Sequence, residues 1–423
     1  MKRLLVVAYY FPPLGMGGVQ RVVKWAKYLP QFGWEPHILS VKPIRYYAYD
    51  SSLLEEIQGI SIDRTESWDL ARLAERFFRK KAPRSSPKSP SVFPGQTRVR
   101  PFFLPDSKIG WYPFARKSGI RFIQKIRPDA ILTTSPPLTA HLVGLELKKK
   151  SALPWVADFR DYWLGGEYVH VPTPLHAYFH RRWARQVLRR ADAVVAISEP
   201  ILESLRIFEP NAPSKFHFLP NGFDPADLRD LKPLNFPKKT LLYLGTLGGA
   251  NHPGLFFEGL RLLVRQNKAA LEGWEILFWG QPLKTVEIPA EIRPWIRRVP
   301  YTSHRESLAA LLGAAGLLFF LAPTVNRGMV TGKIFEYVAA GRPIFAVLPS
   351  DTAAATILEQ YGYGKTVTKL NAQAVAHQLE EFLSGKFKPR NDSKWNELKE
   401  SFSRKKQTEK LAAILGDLVS REK

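Results

Sequence analysis

Short apolar runs alternate with helical patterns along almost the whole chain. The runs read LLVVAYYF, PHILSV, DAILTTS, WVADF, DAVVAIS and FHFLP in the first half, and TLLYLGT, EILFWG, RRVPY, LLFFLA and PIFAVLP in the second. Apolar strands that alternate with helices indicate parallel sheets covered by helices on both faces. The pattern therefore predicts an α/β protein and excludes all-helical and all-strand architectures.

The chain of 423 residues is too long for one ordinary hydrophobic core. A polar stretch punctuated by proline, PNGFDPADLRDLKPLNFPKK, separates the two series of strands. We therefore predict a first domain over residues 1–222, a second over 223–390 and C-terminal helices over 391–423. Residues 81–101 are rich in proline, serine and basic side chains without apolar periodicity, which predicts a mobile loop.

Composition limits the chemistry. The chain has no cysteine, which excludes disulfides, thiolate metal sites and cysteine nucleophiles. Its formal net charge is +24, and the larger part of the excess lies in the first half, so we expect an anionic partner. The basic residues are spread over many segments and no nucleic-acid-binding motif occurs, which argues against nucleic acid as that partner.

Two apolar segments are interpreted as parts of folded domains. The segment after Met1-Lys2-Arg3 is short and ends at Pro12-Pro13, so we read it as a buried strand and not as a signal peptide. The uncharged stretch from Ser307 to Asn326 is long enough to span a bilayer, but its glycines and Pro323 divide it into a helix and a buried strand.

The first strand leads into a glycine-rich turn that contains Gly17 and Gly18. Backbone N–H groups at the start of the following helix suit a phosphate. The dinucleotide fingerprint would need glycine where Gln20 stands and an acid where Val41-Lys42 stands, so we exclude NAD. The alternative is a tight turn that binds no ligand.

The sequence DFRDYW places Asp158, Arg160 and Asp161 at the carboxyl end of an apolar strand, where open α/β sheets bind ligands. Two carboxylates beside a guanidinium suit sugar hydroxyls or a leaving phosphate. The alternative is an internal Asp–Arg pair that braces a loop. His141 follows another strand, and a lone histidine is more often structural than catalytic.

The segment TPLHAYFHRRWARQVLRR predicts a helix with a dense basic face. His176 and His180 lie four residues apart on it, but no acid stands between them as a zincin motif requires, so we predict no metal site. A basic amphipathic helix either lies on an anionic membrane surface or presents a solvated face, and both readings stay open.

A second group of candidates lies in the second half. Gly245 and Thr246 end a strand and open the loop GTLGGANHPG. In TGKIFEYVAAGRP, Lys333 and Glu336 are three residues apart and share a helix face. A lysine there can neutralise a phosphate, and a glutamate can accept hydrogen bonds from both ribose hydroxyls. The alternative is a surface Lys–Glu pair.

Taken together, the segments GGVQR, DFRDYW, LPNGFD and KIFEYVAAGRPI resemble the family-4 glycosyltransferases of GT-B fold, in a branch that contains DFRD. The resemblance spans nearly the full chain in the family's order. It implies two Rossmann-like, doubly wound parallel-sheet domains that face each other across a cleft. The first would bind the acceptor and the second the donor, and the final helices would pack back on the first domain.

The resemblance also implies an activity, retaining transfer of a sugar from a nucleoside-diphosphate sugar to a hydroxyl acceptor. Glu336 matches the family's ribose-binding glutamate, and Gly17 and Gly18 match the loop near the diphosphate. Asp158, Arg160 and Asp161 match a cleft-facing signature, and we expect the acceptor near Asp158 and His141. These residues are our catalytic candidates.

Two features depart from the family pattern. An acid normally eight residues before the last glutamate is replaced by Gly328, and GGANHPG replaces the usual Arg and Lys diphosphate clamp. We expect Arg327 and Lys333 to supply the phosphate charge instead. No Asp-x-Asp motif occurs, so we predict no metal, and we expect no cofactor beyond the nucleotide-sugar co-substrate.

The expected acceptor is a saccharide or a lipid-linked saccharide. With its basic first half, the protein would be cytoplasmic and peripheral on the inner face of the cell membrane, working in cell-surface polysaccharide or glycolipid synthesis. The alternatives are a nucleotide-sugar epimerase of the same fold and a catalytically silent homologue that acts as a binding protein.

Overall fold

The computed structural model describes residues 1–15, 17–44, 49–69, 72, 103–165, 171–280, 286–362, 364–385 and 393–421. The predicted loop at 81–101 lies outside the described residues. The chain divides into two compact units. Unit 1 comprises Met1–Pro220 and Arg404–Lys423, and unit 2 comprises Asn221–Ser403.

Unit 1 is built on a seven-stranded parallel sheet. Its strands are β1 (Lys2–Val7), β2 (Trp34–Val41), β3 (Ser61–Thr65), β4 (Ala130–Ser135), β5 (Trp155–Phe159), β6 (Ala193–Ala196) and β7 (Phe216–Phe218). Their order across the sheet is β3-β2-β1-β4-β5-β6-β7. The helices between them are α1 (Gly17–Tyr28), α2 (Ser52–Glu55), α3 (Tyr112–Ile126), α4 (Thr139–Ser151), α5 (Pro174–Arg190) and α6 (Glu199–Arg206).

Unit 2 repeats this plan with a six-stranded parallel sheet of order β10-β9-β8-β11-β12-β13. The strands are β8 (Lys239–Leu244), β9 (Trp274–Trp279), β10 (Ile296–Val299), β11 (Gly316–Phe320), β12 (Ile344–Val347) and β13 (Gly364–Val367). The helices are α7 (Pro225–Leu228), α8 (Gly254–Asn267), α9 (His304–Gly313), α10 (Lys333–Ala340), α11 (Ala353–Tyr361), α12 (Ala372–Leu383) and α13 (Ser393–Ser401).

Every one of the predicted apolar runs forms a strand, and the central strands are buried throughout, as all six residues of β4 are. Burial on both faces is the reason that these strands are continuous apolar runs instead of alternating ones. The α/β class and the doubly wound parallel sheets are thus confirmed.

In each sheet the strand order reverses at one place, between β1 and β4 in unit 1 and between β8 and β11 in unit 2. The loops that leave adjacent strands diverge at such a switch point and open a crevice at the carboxyl edge of the sheet, where ligands bind. The turn at Gly17 follows β1, and the loop at Gly245 follows β8, so both glycine-rich segments lie at switch points.

The last helix, α14 (Arg404–Arg421), belongs to unit 1. Leu411 and Leu415 have no exposed surface and pack into the core that also contains residues of α1. The chain therefore contributes to unit 1 from both of its ends.

In the part of the chain that the structure describes, no helix combines the length and the apolar character needed to cross a membrane. The uncharged stretch from Ser307 to Asn326 forms the end of α9 and then β11, as the sequence predicted.

A buried ion pair joins α1 to the centre of the sheet in unit 1. The Arg21 guanidinium donates to both carboxylate oxygens of Asp158, at 2.8 Å from Nη2 and 3.3 Å from Nε. Thr134 of the adjacent strand β4 donates its hydroxyl to the same carboxylate at 2.7 Å. Arg21 also donates to the main-chain oxygens of Leu219 and Pro220. These bonds hold α1 against β4, β5 and the segment that contains Leu219 and Pro220.

We predict that Asp158→Asn lowers the free energy of unfolding by about 3–5 kcal/mol, because the guanidinium of Arg21 would stay buried without its counter-ion. Urea unfolding followed by circular dichroism measures this change. Glu203→Gln, which neutralises an exposed carboxylate on α6 of the same unit, is the control and should change stability little. Equal stability of Asp158→Asn and the wild type would contradict the proposed brace.

Candidate functional site

The structure separates the three charged side chains of DFRDYW into different environments. Asp158 is fully buried and bonded to Arg21. This placement favours the structural reading of Asp158, with Arg21 instead of Arg160 as the partner. Its catalytic role is an untested prediction, and the side chain presents no surface to a ligand.

Arg160 also braces α1. Its guanidinium donates to the main-chain oxygens of Ser135 at 2.8 Å, Pro136 at 2.9 Å and Gly18. A Cβ atom at Gly18 would lie 2.9 Å from the guanidinium, so glycine leaves the room that this contact needs. Arg160 thus ties the end of β4 to the first turn of α1, next to the N–H groups that were predicted to bind phosphate.

Asp161 is the carboxylate of this segment that keeps contact with solvent. It borders a small cavity at the carboxyl ends of β4 and β5, lined by Asp106, Ser135, Pro136, Pro137, Leu138, Asp161 and Tyr162. Asp106 within it is held by the N–H and hydroxyl of Thr139, both at 2.9 Å, and burial raises its pKa. The cavity is therefore a candidate for a small polar group such as a sugar hydroxyl.

His141 is completely buried on the first turn of α4. Its Nδ1 lies 2.7 Å from the Thr133 hydroxyl, and its ring packs 4.3 Å from that of Phe159. Burial and the nearby Arg160 charge lower its pKa to about 3, against a weaker opposing effect of the Asp158 main chain. His141 is thus neutral at pH 7, which suits a structural hydrogen bond.

His176 and His180 lie in different environments. His180 is buried, and burial lowers its pKa to about 4. His176 instead lies beside the N-cap residue Thr173, whose hydroxyl is 2.7 Å from its Nδ1. The two rings therefore serve the helix and its packing.

In unit 2, the candidate residues Gly245, Thr246 and Lys333 share one neighbourhood through Tyr243. The Tyr243 hydroxyl, at the end of β8, donates to the Thr246 carbonyl oxygen at 2.8 Å. It accepts a hydrogen bond from Lys333 Nζ at 2.8 Å. Gly245 has a φ of 119°, which favours glycine, and a Cβ there would lie 3.0 Å from Nζ.

Lys333 opens α10, and its ammonium group lies 4.3 Å above the ring of Tyr243. Among the described residues, no carboxylate oxygen lies within ion-pair distance of it. Burial lowers the pKa of Lys333 to about 7, and the Glu336 carboxylate partly opposes this shift. Burial also raises the pKa of Tyr243, so the phenol stays neutral. The cation is therefore held by neutral groups and is available to an anion.

Glu336 lies one turn further along α10. Its Oε1 is 3.0 Å from Nε2 of His304, and a quarter of each side chain is exposed. Its neighbour Tyr337 turns into the core, where its hydroxyl accepts a hydrogen bond from the Leu244 N–H at 2.8 Å. This bond fixes α10 against the end of β8.

The other two predicted donor residues lie in the loop before α10. Arg327 forms an ion pair with Asp351 at 2.8 Å, and 72% of the arginine side chain is exposed. The Gly328 N–H donates to the Asn326 side chain at 3.2 Å. The structure thus brings Lys333, Gly245 and Thr246 together, and gives Arg327 a different partner.

Sequence reasoning missed Arg21, Tyr243 and His304. Arg21 is the last residue of the segment GGVQR, but the prediction for that segment used its glycines alone. Tyr243 is part of an apolar strand run, in which a single tyrosine carries no functional signal. His304 is the first residue of α9 and belongs to no recognisable motif, and only the folded structure places it beside Glu336.

The family comparison covers the first half of the chain. Residues 16–222 match the model of a glycosyl transferase 4-like domain. No curated protein sequence is significantly similar to the chain.

Solved structures resemble the chain over nearly its whole length. The Anabaena HepE structure in complex with UDP has 14% sequence identity and a TM-score of 0.60, covering 99% of this chain and 100% of that one. The lipopolysaccharide outer core galactosyltransferase WaaB has 14% identity and a TM-score of 0.58, with 96% and 98% covered. A protein assigned as UDP-N-acetylglucosamine 2-epimerase from Listeria monocytogenes has 12% identity and a TM-score of 0.53, with 97% and 95% covered.

At such low identity these structures establish the fold alone, and it is the predicted GT-B class. The family match over residues 16–222 agrees with the predicted resemblance to the family-4 glycosyltransferases, and the DFRD-containing branch stays a prediction.

Proposed function

We propose that the protein transfers a sugar from a nucleoside-diphosphate sugar to a hydroxyl acceptor, with retention of configuration. The observation that carries the proposal is the pair of Lys333 and Glu336 on the first turn of α10. The match of residues 16–222 to a glycosyltransferase domain supports it. So does the likeness of fold to HepE, whose structures contain UDP and UDP-glucose.

The donor binds to unit 2 in this proposal. Lys333 meets the diphosphate, because its ammonium is desolvated and, within the described part of the chain, donates to the neutral Tyr243 phenol and to no carboxylate. Glu336 accepts the ribose hydroxyls, since a carboxylate offers about four lone-pair positions and the contact with His304 uses one of them. Preorganised cations and helix N–H groups stabilise the charge on the leaving diphosphate, so the reaction needs neither metal nor cofactor.

The acceptor binds to unit 1. Asp161 accepts a hydrogen bond from an acceptor hydroxyl in this proposal, and the N–H groups at Gly17 and Gly18 bind a phosphate group. Arg160 and His141 support this surface from behind. We assign no nucleophile, and the leaving phosphate itself takes the proton of the acceptor hydroxyl.

Two other functions compete with transfer. An epimerase would convert the donor without any acceptor, and the epimerase-like structure from Listeria monocytogenes is a weaker match in fold than HepE. A silent homologue would bind the nucleotide without turnover, and Gly328 in place of the family's acid favours that reading. Incubation with a labelled nucleotide-sugar, with and without saccharide acceptors, distinguishes the three. Transfer only with acceptor is the expected result.

Helix α5 supports a membrane-bound acceptor. Five of its arginines are exposed, Arg181, Arg182, Arg185, Arg189 and Arg190. Leu175 and Tyr178 of the same helix are 61% and 57% exposed, which adds apolar contact area beside the charge. We infer that α5 docks on anionic lipid, and that the acceptor is a lipid-linked saccharide at the cytoplasmic face in polysaccharide or glycolipid synthesis.

Glu336→Ala should weaken nucleotide binding by about 1.5–3 kcal/mol, the range for losing a hydrogen bond to a charged group. Isothermal titration with UDP, GDP and ADP identifies the nucleotide and measures the change. Glu359→Ala, which removes an exposed carboxylate from α11 in the same unit, is the matched control. Unchanged affinity in Glu336→Ala would remove Glu336 from the site.

Donor affinity should fall as pH rises above 7. The empty protein loses the Lys333 proton near pH 7, and a bound diphosphate restores it by raising that pKa, so binding at higher pH takes up a proton. Between pH 7 and 9 the Kd for UDP-glucose, whose phosphates do not titrate there, should increase about five- to tenfold per pH unit. Lys333→Arg keeps the charge and should give a flat profile.

The same slope in Lys333→Arg and in the wild type would assign the pH dependence to another group. His304 is the next group to test, because its ring contacts Glu336. Repeating the profile with His304→Gln tests it.

Replacing Arg181, Arg182 and Arg185 with glutamine should weaken binding to vesicles of phosphatidylglycerol by about 3 kcal/mol, at ~1 kcal/mol per basic side chain near the surface. Co-sedimentation measures the partition. The control replaces Lys117, Lys149 and Lys150, which are exposed in unit 1 on other helices, and removes the same charge. An equal loss in both variants would show a general charge effect and no role for α5.

A further inference from the structure

His304 contacts the carboxylate on which the proposed function depends. Its Nε2 lies 3.0 Å from Oε1 of Glu336. An ionised carboxylate only accepts hydrogen bonds, so Nε2 is the donor in this pair. Both side chains are a quarter exposed, so the contact lies at the rim of unit 2 and a ligand can reach it.

The position of His304 is set by the backbone around it. His304 is the first residue of α9, and Ser303 caps that helix. The Ser303 hydroxyl accepts from the Glu306 N–H at 3.3 Å, and the Glu306 carboxylate accepts from the Ser303 N–H at 3.1 Å. Such a capping box satisfies two helix N–H groups reciprocally and fixes where the helix starts.

The segment before the cap is tied to the sheet. The Thr302 hydroxyl accepts a hydrogen bond from the indole N–H of Trp279, the last residue of β9, at 2.9 Å. The imidazole of His304 is therefore carried by a backbone that is fixed on two sides. The Glu336 side chain, in contrast, rotates about three bonds and can adopt many rotamers. A fixed donor at its Oε1 favours the rotamers that keep this hydrogen bond.

We propose that His304 is a positioning residue, which orients the Glu336 carboxylate toward the ribose hydroxyls of the nucleotide. This inference rests on the proposed function. A carboxylate offers about four lone-pair positions, so the bond from His304 is compatible with a second contact to ribose. A surface pair with no role in binding would contribute little, since exposed ion pairs are worth at most about 1 kcal/mol.

The test uses isothermal titration to compare the affinity for UDP with the affinity for 2′-deoxy-UDP. GDP and ADP are compared with their 2′-deoxy forms in the same way. The wild type should bind the ribonucleotide about tenfold more tightly than the deoxynucleotide, because one ribose hydroxyl bond is lost. His304→Ala should weaken ribonucleotide binding about three- to tenfold and leave deoxynucleotide binding nearly unchanged. The discrimination between the two should therefore shrink.

His304→Gln is the conservative variant, because its side-chain amide carries a donor near the position of Nε2, and it should restore most of the discrimination. Glu336→Gln and the double variant His304→Ala/Glu336→Gln close a thermodynamic cycle. With the carboxylate gone, removing His304 should have no further effect on discrimination. Thermal unfolding of each variant separates these effects from damage to α9.

The outcomes separate a failure of the proposed function from a failure of the role of His304. If the wild type bound none of the nucleotides, the proposed function would fail and this inference with it. If the wild type discriminated and Glu336→Gln abolished the discrimination, the function would stand. In that case, equal weakening of both nucleotides in His304→Ala, or no change at all, would overturn the role of His304 alone.

Discussion

The buried pair of Arg21 and Asp158 is the interaction on which the candidate surface of unit 1 depends. Two buried charges are stable only when further hydrogen bonds satisfy them. Here the guanidinium also reaches two main-chain oxygens, and the carboxylate also accepts from Thr134. The result is a fixed first turn of α1 beside the ends of β4 and β5. Without it, the N–H groups at Gly17 and Gly18 would have no defined position at the switch point.

The cations of the two candidate sites are used differently. In unit 1, Arg21 and Arg160 direct their donors at carboxylate and carbonyl oxygens of the protein, so their charge is used within the fold. In unit 2, Lys333 is bonded to a neutral phenol and its burial lowers its pKa. A desolvated cation held by neutral groups keeps its attraction for a phosphate. This contrast is the physical reason for placing the donor's diphosphate at Lys333.

Most of the fold was predictable because burial determines the pattern of the strands. The eleven apolar runs all became strands, whereas β3 and β13 were missed. Both are edge strands, and their sequences, SIDRT and GKTV, are short and only partly buried. An edge strand has a neighbour on one side only and need not be apolar. Hydrophobic pattern therefore carries little information about it.

The candidate site was less predictable, because a motif gives the order of residues along the chain but not the direction of their side chains. DFRD illustrates this. Asp158 lies within β5 and points into the unit, where Arg21 of a segment 137 residues away neutralises it. Asp161 lies three residues later, past the strand end, and stays accessible. The segment that resembles a family signature thus contains one buried carboxylate that braces the fold and one that keeps contact with solvent, and a direct contact with a substrate is open to the second alone.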